Sequence, residues 1–323
     1  MKKKALIIGI TGFVGSHLAE LLLDKGFEVH GIVRWRSKTE NIDDFKERLN
    51  LHEGDVTDLS SLIKVLKQVK PNYIFHLAAQ SFVFASWKLP AQTLHTNVIG
   101  TSNLLEAVTA LKDSSFDPIV QIAGSSEEYG LVYPNEVPIK ETNPLRPLSP
   151  YGVSKVAADM LALQHFRSYG IKTIVTRSFN TSGPRRGEVF VCSTFAKQIA
   201  EIEKKKREPI ILHGNLDAKR NFTDVRDVAR AYLLTVEKCK PGEVYNICSG
   251  PEGTLSIKDL LQTLLSMTDK KIELNEDPKR MRPSDVPILE GDYSKFKKAT
   301  GWFPVIPIKQ TFQNLLDYWR GKI

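Results

Sequence analysis

The chain has 323 residues, 41% of them hydrophobic and 25% charged, and a formal net charge of +8. That length suits one large or two medium domains, and the composition is that of a globular protein, which excludes intrinsic disorder. No run reaches the roughly 18 apolar residues of a membrane helix, and Cys192, Cys239 and Cys248 are odd in number without paired spacing, which excludes a disulfide framework and a zinc site.

Met1-Lys2-Lys3-Lys4 ahead of apolar residues 5–10 has the charge order of a signal peptide. The run is too short, however, and Gly9, Gly12 and Gly15 interrupt it, so a cytoplasmic protein without membrane association is expected. Residues 5–10 read as a strand and 16–25 as a helix, with Leu18, Leu21 and Leu22 at helical spacing. Strands are expected at 28–33, 50–53, 73–78 and 119–123, with helices over 58–69 and 96–111 between them. Alternation of this kind implies right-handed crossovers and a doubly wound parallel sheet, an α/β Rossmann-like fold. Further sheet strands are expected at 171–177 and 242–248, and beyond Gly250 the pattern turns to helices and loops. Residues 1–180, with a return segment at about 215–250, are expected to bind the cofactor. Residues 181–323 are expected to form a smaller, interleaved C-terminal α/β domain for the substrate. Positive charge is dispersed apart from Lys204-Lys205-Lys206-Arg207, which suits a helix C-terminus. With no recognition motif beside it, this charge points to an anionic small substrate and not to nucleic acid.

Gly9-Ile10-Thr11-Gly12-Phe13-Val14-Gly15 follows the first strand and opens the first helix. Glycines there let backbone amides approach a pyrophosphate, whose charge the helix N-terminus favours. An NAD site would carry Asp or Glu at the end of the second strand; this chain carries Val33-Arg34-Trp35-Arg36. A guanidinium can clasp a 2′-phosphate that a carboxylate would repel, so Arg34 and Arg36 favour NADP, the alternative being plain surface charge. Asp55, after the third strand, is either an acceptor for the adenine amino group or a turn residue.

Tyr151 and Lys155 stand at i and i+4 behind Ser149-Pro150, a cap and first-turn proline that start a helix. An ammonium beside a phenol favours the phenolate, which makes a base for a sugar hydroxyl. Gly124-Ser125-Ser126-Glu127-Glu128-Tyr129-Gly130 follows a strand, at the end that faces the ligand crevice of a parallel sheet. Ser125 is positioned there to hydrogen-bond the same hydroxyl.

Nearly end to end, the chain resembles the extended short-chain dehydrogenases. The resemblance is carried by Thr11-Gly12-Phe13-Val14-Gly15, His76-Leu77-Ala78-Ala79, Asn97-Val98-Ile99-Gly100-Thr101, the serine loop, Tyr151-Gly152-Val153-Ser154-Lys155 and Asp224-Val225-Arg226-Asp227. Within that family it is most similar to the GDP-mannose 4,6-dehydratases and the related GDP-4-keto-6-deoxy-mannose reductases, through Gly183-Pro184-Arg185-Arg186-Gly187-Glu188 and Arg282-Pro283-Ser284-Asp285-Val286. Phe13-Val14 and Ser125 depart from the usual dehydratase Gln-Asp and threonine, and Ser125–Gly130 leans toward the reductases. The resemblance implies a 4,6-dehydratase acting on GDP-mannose, with the reductase or a nucleotide-sugar 4-epimerase as alternatives. It implies Ser125, Tyr151 and Lys155 at C4, Glu127 as the proton carrier at C5 and C6, and cofactor contacts at Val56, Leu77, Ala78 and Ala79. Substrate contacts are implied at Ser81 and Asn180. Arg185, Arg220 and Arg282 are candidates for the substrate diphosphate, since guanidinium matches phosphate in two-pronged geometry. A homodimer or homotetramer is implied as well.

Overall fold

The computed structural model describes residues 2–281 and 286–323. β1 (Lys4–Ile8) runs straight through the protein, with Ala5 to Ile8 at most 1% exposed, as a strand covered on both faces must be. It ends at Gly9, whose φ of +97° turns the chain into α1 (Phe13–Asp24). β2 (Glu28–Val33), β3 (Asn50–Glu53), α2 (Leu59–Val69) and β4 (Tyr73–His76) follow. Asp58 starts α2 by accepting from the Ser60 amide, and Lys70 closes it in the left-handed region. The expected helix at 96–111 is present as a wide turn at His95–Ile99 running into α5 (Gly100–Leu111), and it is preceded by α3 (Val83–Lys88) and α4 (Pro90–Leu94). The widened turn aims the Asn97 side chain at Gln80 and at Ser154, a distortion that hydrophobic periodicity does not register.

β5 (Ile119–Ser125) leads to α6 (Pro150–Tyr169), β6 (Lys172–Ser178) and the short β7 (Asn180–Ser182). Ser149 caps α6 by accepting from the Gly152 amide at 3.0 Å, Pro150 fills its first turn and Gly170, at φ +64°, ends it. α7 (Val191–Glu203), β8 (Ile210–His213), β9 (Lys219–Asp224), α8 (Val225–Lys238) and β10 (Val244–Ile247) come next. The basic run at 204–207 follows the end of α7, where cations suit the helix dipole. The chain closes with β11 (Thr254–Ser256), α9 (Ile257–Leu265), β12 (Glu273–Glu276), β13 (Ile288–Leu289), α10 (Ser294–Thr300) and α11 (Ile308–Lys322).

Seven strands form one parallel sheet in the order β3-β2-β1-β4-β5-β6-β10. Apolar side chains pack on both its faces, one group around α1 and α8 and the other around α2 and α5. The order reverses between β1 and β4, and a crevice opens there at the carboxyl ends of the strands. The later strands make two smaller sheets, β7, β9, β11 and β13 in one and β8 with β12 in the other, over a separate apolar cluster that includes Phe195, Leu260 and Phe312. Among the described residues, no helix is long and apolar enough to cross a membrane.

Candidate active site

A cavity of about 700 Å³ occupies that crevice, and residues from both halves of the chain line it. Its floor is the glycine turn. A Cβ on Gly9 would lie 2.8 Å from the Ala78 nitrogen, and one on Gly15 would lie 2.2 Å from the Gly9 oxygen, so only glycine lets these segments close on one another. Gly12 caps α1 without a side-chain acceptor, and no carboxylate sits in the first turn. The first amides of α1 thus remain as donors for an anion. Thr11, Phe13 and Val14 line the cavity with the glycines, and Asn41 steadies the turn by donating to the Thr11 carbonyl at 3.0 Å.

The neighbouring strand ends complete this side. Arg34 lines the cavity beside Ser37, whose hydroxyl accepts from the Arg34 amide at 3.1 Å. Arg36 does not: its guanidinium stacks on exposed Trp35, 4.2 Å from the ring, so of the two expected phosphate ligands only Arg34 is in place. Asp55 and Val56 line the wall, with one Asp55 oxygen already accepting from the Thr57 amide and hydroxyl at 2.9 and 2.8 Å. Leu77, Ala78, Ala79 and Ser81 follow after β4. A cradle of free amides with a guanidinium beside it fits a dinucleotide bearing a 2′-phosphate.

The expected catalytic residues line the same cavity. Ser125 ends β5, and its hydroxyl accepts from the Glu127 amide at 3.2 Å. Tyr151 and Lys155 project from the first turns of α6. The Lys155 ammonium donates to the Ala123 carbonyl at 2.7 Å and lies 5.9 Å from the centre of the Tyr151 ring. Ser154 locks this turn by donating to the Tyr151 carbonyl and accepting from Asn97. Glu127 is half-buried and lines the cavity beside them.

The electrostatics differ from the expectation of an acidified phenol. Burial raises Tyr151 above the usual phenol range, against a hydrogen bond with Ser125 and the charge of Arg186. Burial also pushes Lys155 down to about 8, with Glu128 pulling the other way. In a site this dry, desolvation outweighs the favourable charges.

The arginines also fall differently. Arg185 is outside the cavity, in a two-pronged ion pair with Glu20 at 2.6 and 3.0 Å. Arg220 is buried, donates to the Lys219 and Val286 carbonyls at 2.8 and 2.6 Å and does not line the cavity. Arg282 lies outside the described residues. The arginine of this turn that does enter the cavity is Arg186, which sequence reasoning passed over. It stacks on Phe190 at 3.4 Å and on Phe13 at 4.9 Å, and burial lowers it to about 10. The reason is local: Arg185 adopts φ +69° in the turn after Gly183, and this sends adjacent guanidinium groups to opposite sides. Asn180, on β7, lines the cavity as expected.

A family model described as GDP-mannose 4,6 dehydratase matches residues 6–315. A GDP-mannose 4,6-dehydratase of Vibrio cholerae is 36% identical over 96% of this chain and 92% of its own length. A GDP-6-deoxy-D-mannose reductase of Pseudomonas aeruginosa is 32% identical over 100% and 99%. The solved structure of RMD from Pseudomonas aeruginosa complexed with NADPH superposes with a TM-score of 0.85 at 31% identity, covering 100% of both chains. With the glycine turn, the serine loop and the tyrosine–lysine helix on one cavity, the chain belongs to the GDP-mannose 4,6-dehydratase family.

Proposed function

We propose that the protein is a nucleotide-sugar 4,6-dehydratase that converts GDP-mannose to the 4-keto-6-deoxy sugar with bound NADP. The observation that carries this reading is the placement of Glu127 on the same cavity wall as Ser125 and Tyr151. The amides of α1 and Arg34 would hold the cofactor, which supplies a hydride acceptor and donor at the sugar ring. Tyr151 takes the proton of the C4 hydroxyl, Ser125 hydrogen-bonds the same oxygen, and the Lys155 ammonium favours the resulting phenolate. Once C4 is a ketone the C5 proton is acidic. Glu127 removes it and returns a proton to the departing C6 hydroxyl, which leaves as water; the hydride taken from C4 would then be returned to C6 as C5 regains a proton, giving the 6-deoxy sugar with no net change in the cofactor. Asn180 and Ser81 orient the sugar, and Arg186 faces the anionic part of the bound molecules.

A homodimer or homotetramer belongs to the same reading, supported by exposed apolar Leu94, Ile99, Val153 and Met160 on α4, the wide turn and α6. So does a cytoplasmic location.

The reductase remains a second reading. Ser125 stands where the family resemblance places the usual dehydratase threonine, and the Pseudomonas aeruginosa reductase matches end to end. One experiment separates the two. The protein is incubated with GDP-mannose and a catalytic amount of NADP⁺, and the product is weighed. Loss of one water is expected. No loss of water, together with NADPH consumption on the 4-keto sugar, would overturn the dehydratase in favour of the reductase. An unchanged mass with altered chromatography would point to the epimerase.

A further inference from the structure

Behind the serine loop lies a group of charged side chains that no catalytic step uses. Glu128 is fully buried, as are Asp159 of α6 and Arg177 of β6 within a few per cent. One Glu128 oxygen accepts from the Ser125 amide at 2.7 Å, and the other accepts from Arg177 Nε at 3.0 Å. The same Nε donates to Asp159 at 2.8 Å, and Nη2 donates to Asp159 at 2.6 Å. Arg177 Nη1 donates to the Tyr129 hydroxyl at 3.1 Å, which in turn donates to Asn246 at 2.7 Å. Gly124 makes the approach possible, since a Cβ there would lie 2.6 Å from the Glu128 oxygen. This assembly ties the end of β5, which carries Ser125, to the helix that carries Tyr151 and Lys155. Asp159 stands one turn beyond Lys155 on that helix.

The charges do not balance if both carboxyls are ionised. Two buried carboxylates would share one guanidinium, leaving an uncompensated negative charge that a dry interior strongly disfavours. One Asp159 oxygen is buried and accepts no hydrogen bond, and the next cation, Lys155, donates to the Ala123 carbonyl and makes no ion pair with either carboxyl among the described residues.

We propose that Glu128 is a positioning residue for the catalytic set, holding Ser125 through its amide while its own carboxyl keeps a proton beside Asp159 and Arg177. The titratable and charged groups that face it are Asp159, Lys155 and Tyr151 from α6, Arg177 from β6 and Tyr129 from its own loop. Burial and Asp159 hold the Glu128 carboxyl well above the usual carboxyl range, against the pull of Arg177. From the usual carboxyl range upward, the folded protein therefore keeps a proton that the unfolded chain has lost. Stability falls as pH rises across that window and levels off once the folded carboxyl ionises.

The role assigned to Ser125 rests on the proposed dehydratase reading, so the test uses readouts that need no turnover. Wild type, Glu128→Gln and Glu128→Leu are compared as full-length chains. Glutamine copies the protonated acid: it still accepts from the Ser125 amide and never ionises. Between about pH 5 and pH 8, the unfolding midpoint of wild type is expected to drop by a few degrees relative to Glu128→Gln; parallel curves would overturn the retained Glu128 proton. Amide exchange at Ser125 is expected to stay slow in wild type and Glu128→Gln and to quicken in Glu128→Leu, whereas equal protection in all three would overturn the positioning role. If Glu128→Leu does not fold, exchange and unfolding in Glu128→Gln against wild type still decide both points, because quickened exchange in the glutamine variant contradicts the amide contact. In the turnover assay, Glu128→Leu is expected to lower kcat about 10- to 100-fold at constant KM, with glutamine restoring most of it. Absence of turnover in wild type would count against the dehydratase and leave the first two readouts standing.

Discussion

The two walls of the cavity are built on different principles. One wall comes from the ends of β1, β2, β4 and β5 and the starts of α1 and α6, each functional residue lying within a few positions of a strand or helix terminus. There the backbone sets the geometry, and the residues needed to bend or cap it appear as recognisable strings. The other wall comes from β7, the turn at 183–190 and the start of α7. There the turn determines which side chain faces inward, and the sequence around it is compatible with either answer. The first wall should therefore control chemistry and cofactor, and the second should control the grip on the ligand.

The largest effect that could break this division is at Tyr151. Tyr151→Phe removes the phenolic proton acceptor and keeps the ring, so kcat should fall by about 10³-fold, within the range for loss of a general base. NADPH affinity, followed by fluorescence titration, should not change. A variant that keeps its turnover would show that another group takes the C4 proton. Next is Gly15→Ala. Its Cβ would meet the Gly9 carbonyl at 2.2 Å, a backbone atom that cannot swing aside. Stability should fall by about 1–3 kcal/mol, as for overpacking elsewhere. The NADPH Kd should rise about tenfold or more, equivalent to about 1.4 kcal/mol. Unaltered affinity would mean that the glycine turn is only a chain reversal.

This division also explains what was legible. The order of strands and helices through β6 follows from buried apolar runs, and the glycine turn, Ser125, Tyr151 and Lys155 are placed as their spacing implied. What periodicity missed is where geometry departs from a regular period. The wide turn at His95–Ile99 distorts the start of the expected helix, and the left-handed Arg185 reverses the roles of two adjacent arginines. The buried charge behind the serine loop was missed for another reason. Glu127 and Glu128 are alike in sequence, and only the fold sends the first to the cavity and the second to Arg177.

The pair Arg185 and Arg186 gives the sharpest test of the second wall, because the residues are adjacent and chemically identical. Arg186 reaches the cavity between two aromatic rings and pairs with no carboxylate among the described residues. Its removal should weaken binding of the anionic ligand about 10- to 100-fold, the range for a charged hydrogen bond, and should raise KM more than it lowers kcat. Arg185 instead spends its guanidinium on Glu20, a partly exposed pair. Arg185→Ala should cost about 1 kcal/mol of stability or less, because solvent screens such pairs, and should leave KM unmoved. Had the sequence alone decided, KM would be expected to rise with Arg185→Ala, the candidate it singled out. A KM that rises with Arg185→Ala and not with Arg186→Ala would mean that the turn at 183–190 rearranges when ligand binds, and the second wall would have to be redrawn around Arg185.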